Sequence, residues 1–228
     1  ANKELKEKDL FFTSVSNNEL VVKETRNSGF HIFLFDTTNV AYDIYIPKNY
    51  EKSIFVEAVS GDIFIDEELK LNNVEIKNTS GDIAFNRTIS ANEVKIKTVS
   101  GDIKLNDVNS NSLILESTSG DINIGKTTNF VDTKSVSGDI TINGVNGNIS
   151  IETTSGDISG YNFNIKERSN AKSVSGDIKI SLDNDSNCKI KTKTTSGDIK
   201  LPNGINVVGN EPYAELELKT TSGDIQIN

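Results

Sequence analysis

Short runs in which apolar and polar residues alternate occur along most of this chain. In one run, Val94, Ile96 and Thr98 are separated by single lysines, and after a glycine the alternation resumes at Ile103 and Leu105. Alternation with a period of two is typical of a β-strand with one buried face. Glycine accepts the positive φ that a sharp bend requires. Each unit is therefore predicted to contain two or three short strands around a bend.

The tetrapeptide Ser-Gly-Asp-Ile accompanies the bend and occurs nine times. Its aspartates are separated by 20, 20, 19, 18, 18, 20, 21 and 26 residues. The residue after each aspartate is always isoleucine, and the residue three before each serine is always charged. Stacked copies of one unit would place such aliphatic columns inside and such charged columns outside.

These features predict an all-β protein, a single-stranded parallel β-helix (β-solenoid) with about 20 residues per coil and nine or ten coils. A unit of this length is too short for two helices, and it is rich in β-branched residues, Gly, Asn and Ser. A row of antiparallel hairpins is the alternative. It explains less well why identical residues recur at so constant a period.

One structural domain with an irregular N-terminal cap is expected. Residues 1–10 are predicted to be a charged tail, residues 11–50 to be cap strands rich in Phe and Tyr, and residues 51–228 to be the solenoid repeats. The longest spacing predicts an inserted loop between Pro202 and Pro212. The chain stops on Ile225 to Asn228, which we expect to be an uncapped strand through which copies could self-associate.

Charge and composition narrow the range of partners. The formal net charge is −9, whereas proteins that bind nucleic acid need an excess of Lys and Arg, so no nucleic acid partner is predicted. Cys188 is the single cysteine, which excludes an intrachain disulfide and Cys-based zinc sites. No stretch of 18 apolar residues exists, so no transmembrane segment is predicted. Because the chain starts at Ala1 and contains no Met, we expect a trimmed or mature form from which an export signal or anchor was removed.

Two segments resemble a known bacterial family. One is Ile44-Tyr45-Ile46-Pro47-Lys48-Asn49-Tyr50, and the other runs from Ile54 to Ile63 and ends on the first tetrapeptide. With nine tetrapeptides in phase, the pattern over residues 40–228 resembles the DUF4097 type of repeat domain, a family labelled as adhesins. The resemblance implies a β-solenoid that is attached to, or exported from, a bacterial cell.

The glycine and aspartate of each tetrapeptide form the first candidate site, here named the turn ladder. Carboxylates stacked at strand spacing repel one another unless each accepts hydrogen bonds from turn N–H groups, as in Asx turns, or the column binds cations such as calcium. Calcium prefers about six to eight oxygens, which one aspartate per coil does not supply. A structural role is therefore favoured, and no metal or cofactor is predicted. The turn ladder comprises Gly61, Asp62, Gly81, Asp82, Gly101, Asp102, Gly120, Asp121, Gly138, Asp139, Gly156, Asp157, Gly176, Asp177, Gly197, Asp198, Gly223 and Asp224.

The position before each repeat serine forms the second candidate site, here named the exposed ladder. By alternation it faces outward beside the bend. It could reflect β-propensity alone, or it could be a flat surface for ligand contact or self-association. Ice binding is disfavoured because valines interrupt the threonines and charged residues adjoin them. The exposed ladder comprises Val59, Thr79, Val99, Thr118, Val136, Thr154, Val174, Thr195 and Thr221.

The sequence marks no catalytic site. His31 is the only histidine and lies in an apolar run, and Arg26, Arg87 and Arg168 are widely separated, whereas β-helical polysaccharide lyases gather Asp, Arg or Lys in a cleft. We predict a non-enzymatic bacterial protein, extracellular or at the cell surface, that acts as an adhesin or binding scaffold for an unknown protein or glycan. The alternatives are a docking module in envelope-stress sensing or regulation, and a carbohydrate-active β-helix enzyme.

Overall fold

The computed structural model of this protein describes residues 11–16, 19–24, 43–204 and 206–228. The predicted tail, residues 1–10, and much of the predicted cap segment lie outside the described residues. His31 and Arg26 also lie outside them. Within the described part, no helix is long and apolar enough to cross a membrane.

The strands of the described residues form one 19-stranded sheet that winds around itself. It starts with β1 (Phe11–Ser16) and β2 (Glu19–Glu24). The strands that end at a bend are β3 (Ser53–Ser60), β5 (Leu69–Ser80), β7 (Ile89–Ser100), β9 (Val108–Ser119), β13 (Ser169–Ser175), β15 (Cys188–Lys193) and β18 (Ala214–Lys219). Those that begin at a bend are β4 (Ile63–Ile65), β6 (Ile83–Phe85), β8 (Ile103–Leu105), β12 (Ile158–Ile165), β14 (Ile178–Leu182), β16 (Ile199–Lys200) and β19 (Ile225–Ile227). β10 (Ile122–Ser137) and β11 (Ile140–Ser155) run from one bend to the next, and β17 (Val207–Val208) follows a short 3-10 helix, Pro202–Gly204.

Successive coils pair in parallel and in register. Val74 lies beside Val94, and Val94 lies beside Leu113 in the coil after it. Among the described strands, only β1–β2 and β15–β17 pair antiparallel. The predicted all-β parallel solenoid with about 20 residues per coil is thus confirmed, and the alternative row of antiparallel hairpins is wrong.

The core is the narrow interior of this coil. The isoleucines that follow the aspartates are fully buried in the interior coils, as at Ile83, Ile103 and Ile140. Leu105 and Ile124, two residues further on, are buried as well. Because identical positions stack at about 4.8 Å, each aliphatic side chain packs against its counterparts above and below. At the terminal coil the column ends, and Ile199 is 43% exposed.

A polar column accompanies the apolar ones and supports the bends. It occupies the position two residues before the repeat serine in every coil after the first, and it is buried at all of them except Thr194. The Asn78 amide donates to the Gly61 carbonyl at 3.0 Å, and the Thr220 hydroxyl donates to the Gly176 carbonyl at 3.0 Å. A buried glycine carbonyl that cannot reach water is stabilised by such a donor.

The coil count is lower than nine or ten. Six regular coils connect the bend at Asp62 to the bend at Asp177. The last two tetrapeptides lie on an irregular C-terminal end, where the chain does not advance one coil at a time. All nine bends nevertheless stack in one line.

The last two coils are stacked in the reverse of their order in the sequence. β18 pairs with β13 on one side and with β15 on the other. β19 likewise lies between β14 and β16. The final segment of the chain is therefore inserted between two coils that precede it. The prediction that Ile225 to Asn228 form an uncapped edge is wrong, because this strand has a partner on each side.

The side chains of β15 and β18 explain this order. The outward positions of β15 are Lys189, Lys191 and Lys193, and lysines are a common protection of edge strands against further pairing. The inward positions Leu216 and Leu218 of β18 are fully buried, as befits a strand with neighbours on both sides. β17 covers one end of β15, where Val208 pairs with Cys188. The edge of the rod is thus a charged strand with a partial cover.

Candidate functional site

The turn ladder is held together by hydrogen bonds between coils. One carboxylate oxygen of every ladder aspartate except the outermost, Asp198, accepts a hydrogen bond from the backbone N–H of the aspartate in the next coil, at 2.7–2.9 Å. In stacking order the aspartates are Asp62, Asp82, Asp102, Asp121, Asp139, Asp157, Asp177, Asp224 and Asp198. The acceptor thus bonds the neighbouring turn rather than its own, which offsets part of the repulsion between the stacked charges.

The glycines of the turn ladder have two reasons to be glycine. All nine have φ between 110° and 155°, a region that disfavours side chains. In addition, a Cβ on Gly101 would lie 2.2 Å from the Gly81 carbonyl oxygen, because the bends stack directly on one another. The turn ladder therefore keeps the coils aligned. Among the described residues, no group of three or more His, Cys, Asp or Glu is placed to hold a metal ion.

The exposed ladder lies on the surface immediately before the bends. Val59, Val99, Val136 and Val174 are 47–53% exposed, which is high for valine. Threonines occupy the levels between them, so that the two residue types alternate from Val59 as far as Thr221. At the C-terminal end, Thr221 lies next to Val174, and Thr195 is outermost. The β-bridges of Ser222 with Ser175 and with Ser196 show this order.

A shallow groove runs between the exposed ladder and the charged row that lies two residues before it. One section has a volume of about 480 Å³ and is lined by Lys97, Val99, Glu116, Thr118 and Val136, among others. A second section of about 400 Å³ continues from Lys134 to Lys219 and Thr221. Both sections share Lys134 and Ser135. We name this continuous surface the ladder groove.

Buried hydroxyl groups lie along the floor of the ladder groove. Ser117, Ser135 and Thr153 line it, and each is 5–6% exposed. Their hydroxyl oxygens have no hydrogen-bond partner within the described part of the chain. A buried hydroxyl without a partner is costly. These three oxygens are enclosed beneath the surface, so they form the floor of the groove without being exposed to a ligand that lies in it.

The charges of the ladder groove are balanced along most of its length and unbalanced at one end. Lys97 pairs with Glu116 at 2.6 Å, and Lys172 pairs with Glu152 at 3.3 Å. Beyond Lys172, register pairing places Lys219 and then Lys193 on the next two levels. Within the described residues, neither Lys219 nor Lys193 forms an ion pair. We name Lys172, Lys219 and Lys193 the cationic end.

The other residues considered for chemistry are dispersed. Arg87 follows β6 and Arg168 follows β12, so the two lie on different coils. Cys188 is fully buried, and burial raises the pKa of its thiol to about 11. Lys191 on β15 donates a hydrogen bond to Glu215 on β18. This bond joins the two strands, and it lowers the pKa of the Glu215 carboxyl.

Two features of the ladder groove were not predicted from the sequence. One is the polar column, which is buried except at Thr194. The repetition of small polar residues at one position of the repeat could have revealed it. These residues are Asn78, Thr98, Ser117, Ser135, Thr153, Ser173, Thr194 and Thr220. The cationic end depends on the stacking order of the last two coils. In the sequence, the only sign of that order is the run of lysines on β15.

The chain was compared with known proteins. The sequence model of the Toastrack DUF4097 family matches residues 1–159 and again residues 125–228, so that together the two matches span the whole chain. Searches of curated proteins and of solved structures found no match.

Proposed function

Because this chain belongs to the Toastrack DUF4097 family, we propose that it is a non-enzymatic binding scaffold that holds an extended partner along the ladder groove. We also propose that the protein is extracellular or at the surface of a bacterial cell, and that its role is that of an adhesin-like protein. The observation that carries it is the continuity of the groove across successive coils, from Lys77 to Thr221.

A regular groove suits a regular partner. Equivalent side chains recur at each coil, about 4.8 Å apart, and solenoids commonly bind extended ligands along such surfaces. Half-exposed valines offer apolar contact, and the exposed side chains of Thr118 and Thr154 between them offer hydroxyl groups for hydrogen bonds. A polymer with repeating apolar faces and hydroxyl groups, such as a polysaccharide, fits both.

The cationic end favours a partner that carries negative charge. It concentrates three lysines on adjacent levels of a protein whose net charge is −9. Like charges in neighbouring strands are destabilising, and an anionic group bound there would remove the repulsion. The proposed partner is therefore a glycan that carries carboxylate or phosphate groups. A docking role in envelope-stress sensing or regulation would use the same groove for a protein segment, and no described contact favours it over a glycan.

A binding screen with paired variants tests this function. Purified protein is incubated with immobilised cell-wall and acidic polysaccharides. Val99→Asp with Val136→Asp places two charges in the groove, and Asn123→Asp with Thr141→Asp places the same charges on the strands after the bend as a matched control. We expect the groove variant to lose binding at least tenfold and the control to keep it. Equal losses, or no binding by the unaltered protein, would contradict the proposal, and cleavage of the polymer would show an enzyme.

A further inference from the structure

The C-terminal segment, residues 214–228, occupies a slot that other parts of the chain form. Its two strands lie between β13–β14 and β15–β16, and they hydrogen-bond to both. Leu216, Leu218 and Ile225 are fully buried in the slot. Glu215 adds an ion pair with Lys191 at 2.9 Å. The walls of the slot belong to residues 169–200, so the occupant enters as a separate piece of chain.

A connector, residues 201–213, joins β16 to this segment and lies at the outer end of the rod. Within the connector, β17 pairs with the outer edge of β15, and the Asn206 carbonyl accepts a hydrogen bond from Ile190 at 2.8 Å. Thirteen residues can span about 43 Å when extended, whereas one coil step is about 4.8 Å. Once β17 separates from β15, the connector is therefore long enough to leave the rod instead of turning back into it.

The two interleaved coils present the same bend. Lys-Thr-Thr-Ser-Gly-Asp-Ile occurs at residues 193–199 and again at residues 219–225. The slot accordingly recognises its occupant through backbone pairing, the turn ladder and a few apolar side chains. All of these are supplied equally well by residues 214–228 of another copy of the chain.

We propose that this slot is an interaction surface for a second copy, and that two copies insert residues 214–228 into each other reciprocally. The rods then meet at their C-terminal ends, and each connector crosses to the facing rod. Such exchange is a low-cost route to a closed two-fold dimer, because the dimer repeats every contact of the monomer's slot. The proposal does not depend on what the ladder groove binds.

Disulfide trapping tests the exchange in the full chain. Cys188 and Ala214 are register partners on adjacent strands, and the spacing of about 4.8 Å between parallel neighbours is within the range of about 4.4–6.8 Å between the Cα atoms of disulfides. Ala214→Cys is refolded in a glutathione redox buffer at low and at high micromolar concentration. We expect disulfide-linked dimers on non-reducing gels, with a linked fraction that rises at least tenfold with concentration. Bonds within single chains at every concentration would overturn the proposal.

A matched pair and a second measurement keep the test decisive. Val74→Cys with Val94→Cys, in a Cys188→Ser background, places register partners in regular coils that have no long connector between them. This pair is expected to link only within one chain. If Ala214→Cys forms no disulfide, sedimentation of the unaltered protein refolded at high concentration decides the matter. A dimer that persists after dilution supports exchange, and a monomer at all concentrations overturns it.

Discussion

The carboxylate of Asp177 accepts a hydrogen bond from the backbone N–H of Asp224 at 2.8 Å, although the two residues lie 47 positions apart. Asp224 in turn accepts from Asp198 at 2.8 Å. The turn ladder thus records the true stacking order of the coils at the C-terminal end. Since the exposed ladder lies directly before the same bends, these hydrogen bonds also set the regular spacing of the ladder groove.

Two substitutions of Asp121 separate the contribution of its hydrogen bond to stability from the contribution of its charge. Asp121→Asn retains an acceptor for the Asp139 N–H and reduces repulsion, so the free energy of unfolding should stay constant or rise by about 0.5 kcal/mol. Asp121→Ala removes the acceptor and should lower it by about 1 kcal/mol. Urea unfolding measures both. A loss in Asp121→Asn as large as that in Asp121→Ala, or destabilisation by a chelator, would indicate a bound cation instead.

Two glycines of the turn ladder separate backbone strain from steric clash. Among the described residues, a Cβ on Gly61 would contact nothing within 4 Å, so Gly61→Ala at φ 110° suffers backbone strain alone, about 1–2 kcal/mol. A Cβ on Gly101 would meet the Gly81 carbonyl at 2.2 Å, and such overpacking adds about 2 kcal/mol. Thermal and urea unfolding of both variants measures the difference. Equal losses would mean that the bends do not stack as closely as described.

The sequence predicted the coil because its signals are local and repeated. Alternation at Val94 and Ile96 defined a strand, Gly101 defined a bend, and Ile103 defined a core column; all three predictions depend on a few neighbouring residues. The bond from Asp224 to Asp177 could not be predicted in this way. The same heptapeptide stands at residues 193–199 and 219–225, so the bends themselves do not say which coil is outermost.

The buried thiol of Cys188 should make stability fall at high pH. Burial raises its pKa from 9.0 to about 11, so the folded state favours the neutral thiol. The resulting stabilisation is complete below pH 9 and is lost as the pH rises toward 11, by about 3 kcal/mol in total. We expect Cys188→Ala to show a shallower decline over this range in urea unfolding, since every other titratable group is common to both proteins. Parallel declines would contradict the assignment.

Removing residues 214–228 should let the terminal coil move inward by one level. Residues 193–199 carry the same heptapeptide as the lost bend, so Asp198 can replace Asp224 as acceptor for the Ile178 amide, which donates to the Asp224 carbonyl at 2.8 Å in the intact chain. The Ile178 amide should stay protected from hydrogen exchange. The melting temperature should fall because the burial of Leu216 and Leu218 is lost, at about 1.5–3 kcal/mol each. Rapid exchange at Ile178 would show that the coil cannot move.

The candidate groove was only partly accessible to sequence reasoning. Alternation placed Val99 and Val136 outward, beside a row of charged residues, as the structure has them. It did not reveal that Lys172, Lys219 and Lys193 stack without a carboxylate among them, because their neighbours depend on the order of the coils. The unpartnered hydroxyl of Thr153 was equally hidden, since its environment is formed by other coils.

Lysine footprinting tests most directly whether the ladder groove is the recognition surface. The protein is acetylated with and without a polysaccharide that it binds, and modification is read by mass spectrometry. We predict at least fivefold protection of the groove lysines, which are Lys77, Lys97, Lys134, Lys172 and Lys219, and of Lys193 beside them in the cationic end. Lys104, Lys179 and Lys200, exposed on the strands after the bend, should react unchanged. Equal protection of both sets, or protection of the second set alone, would contradict the account.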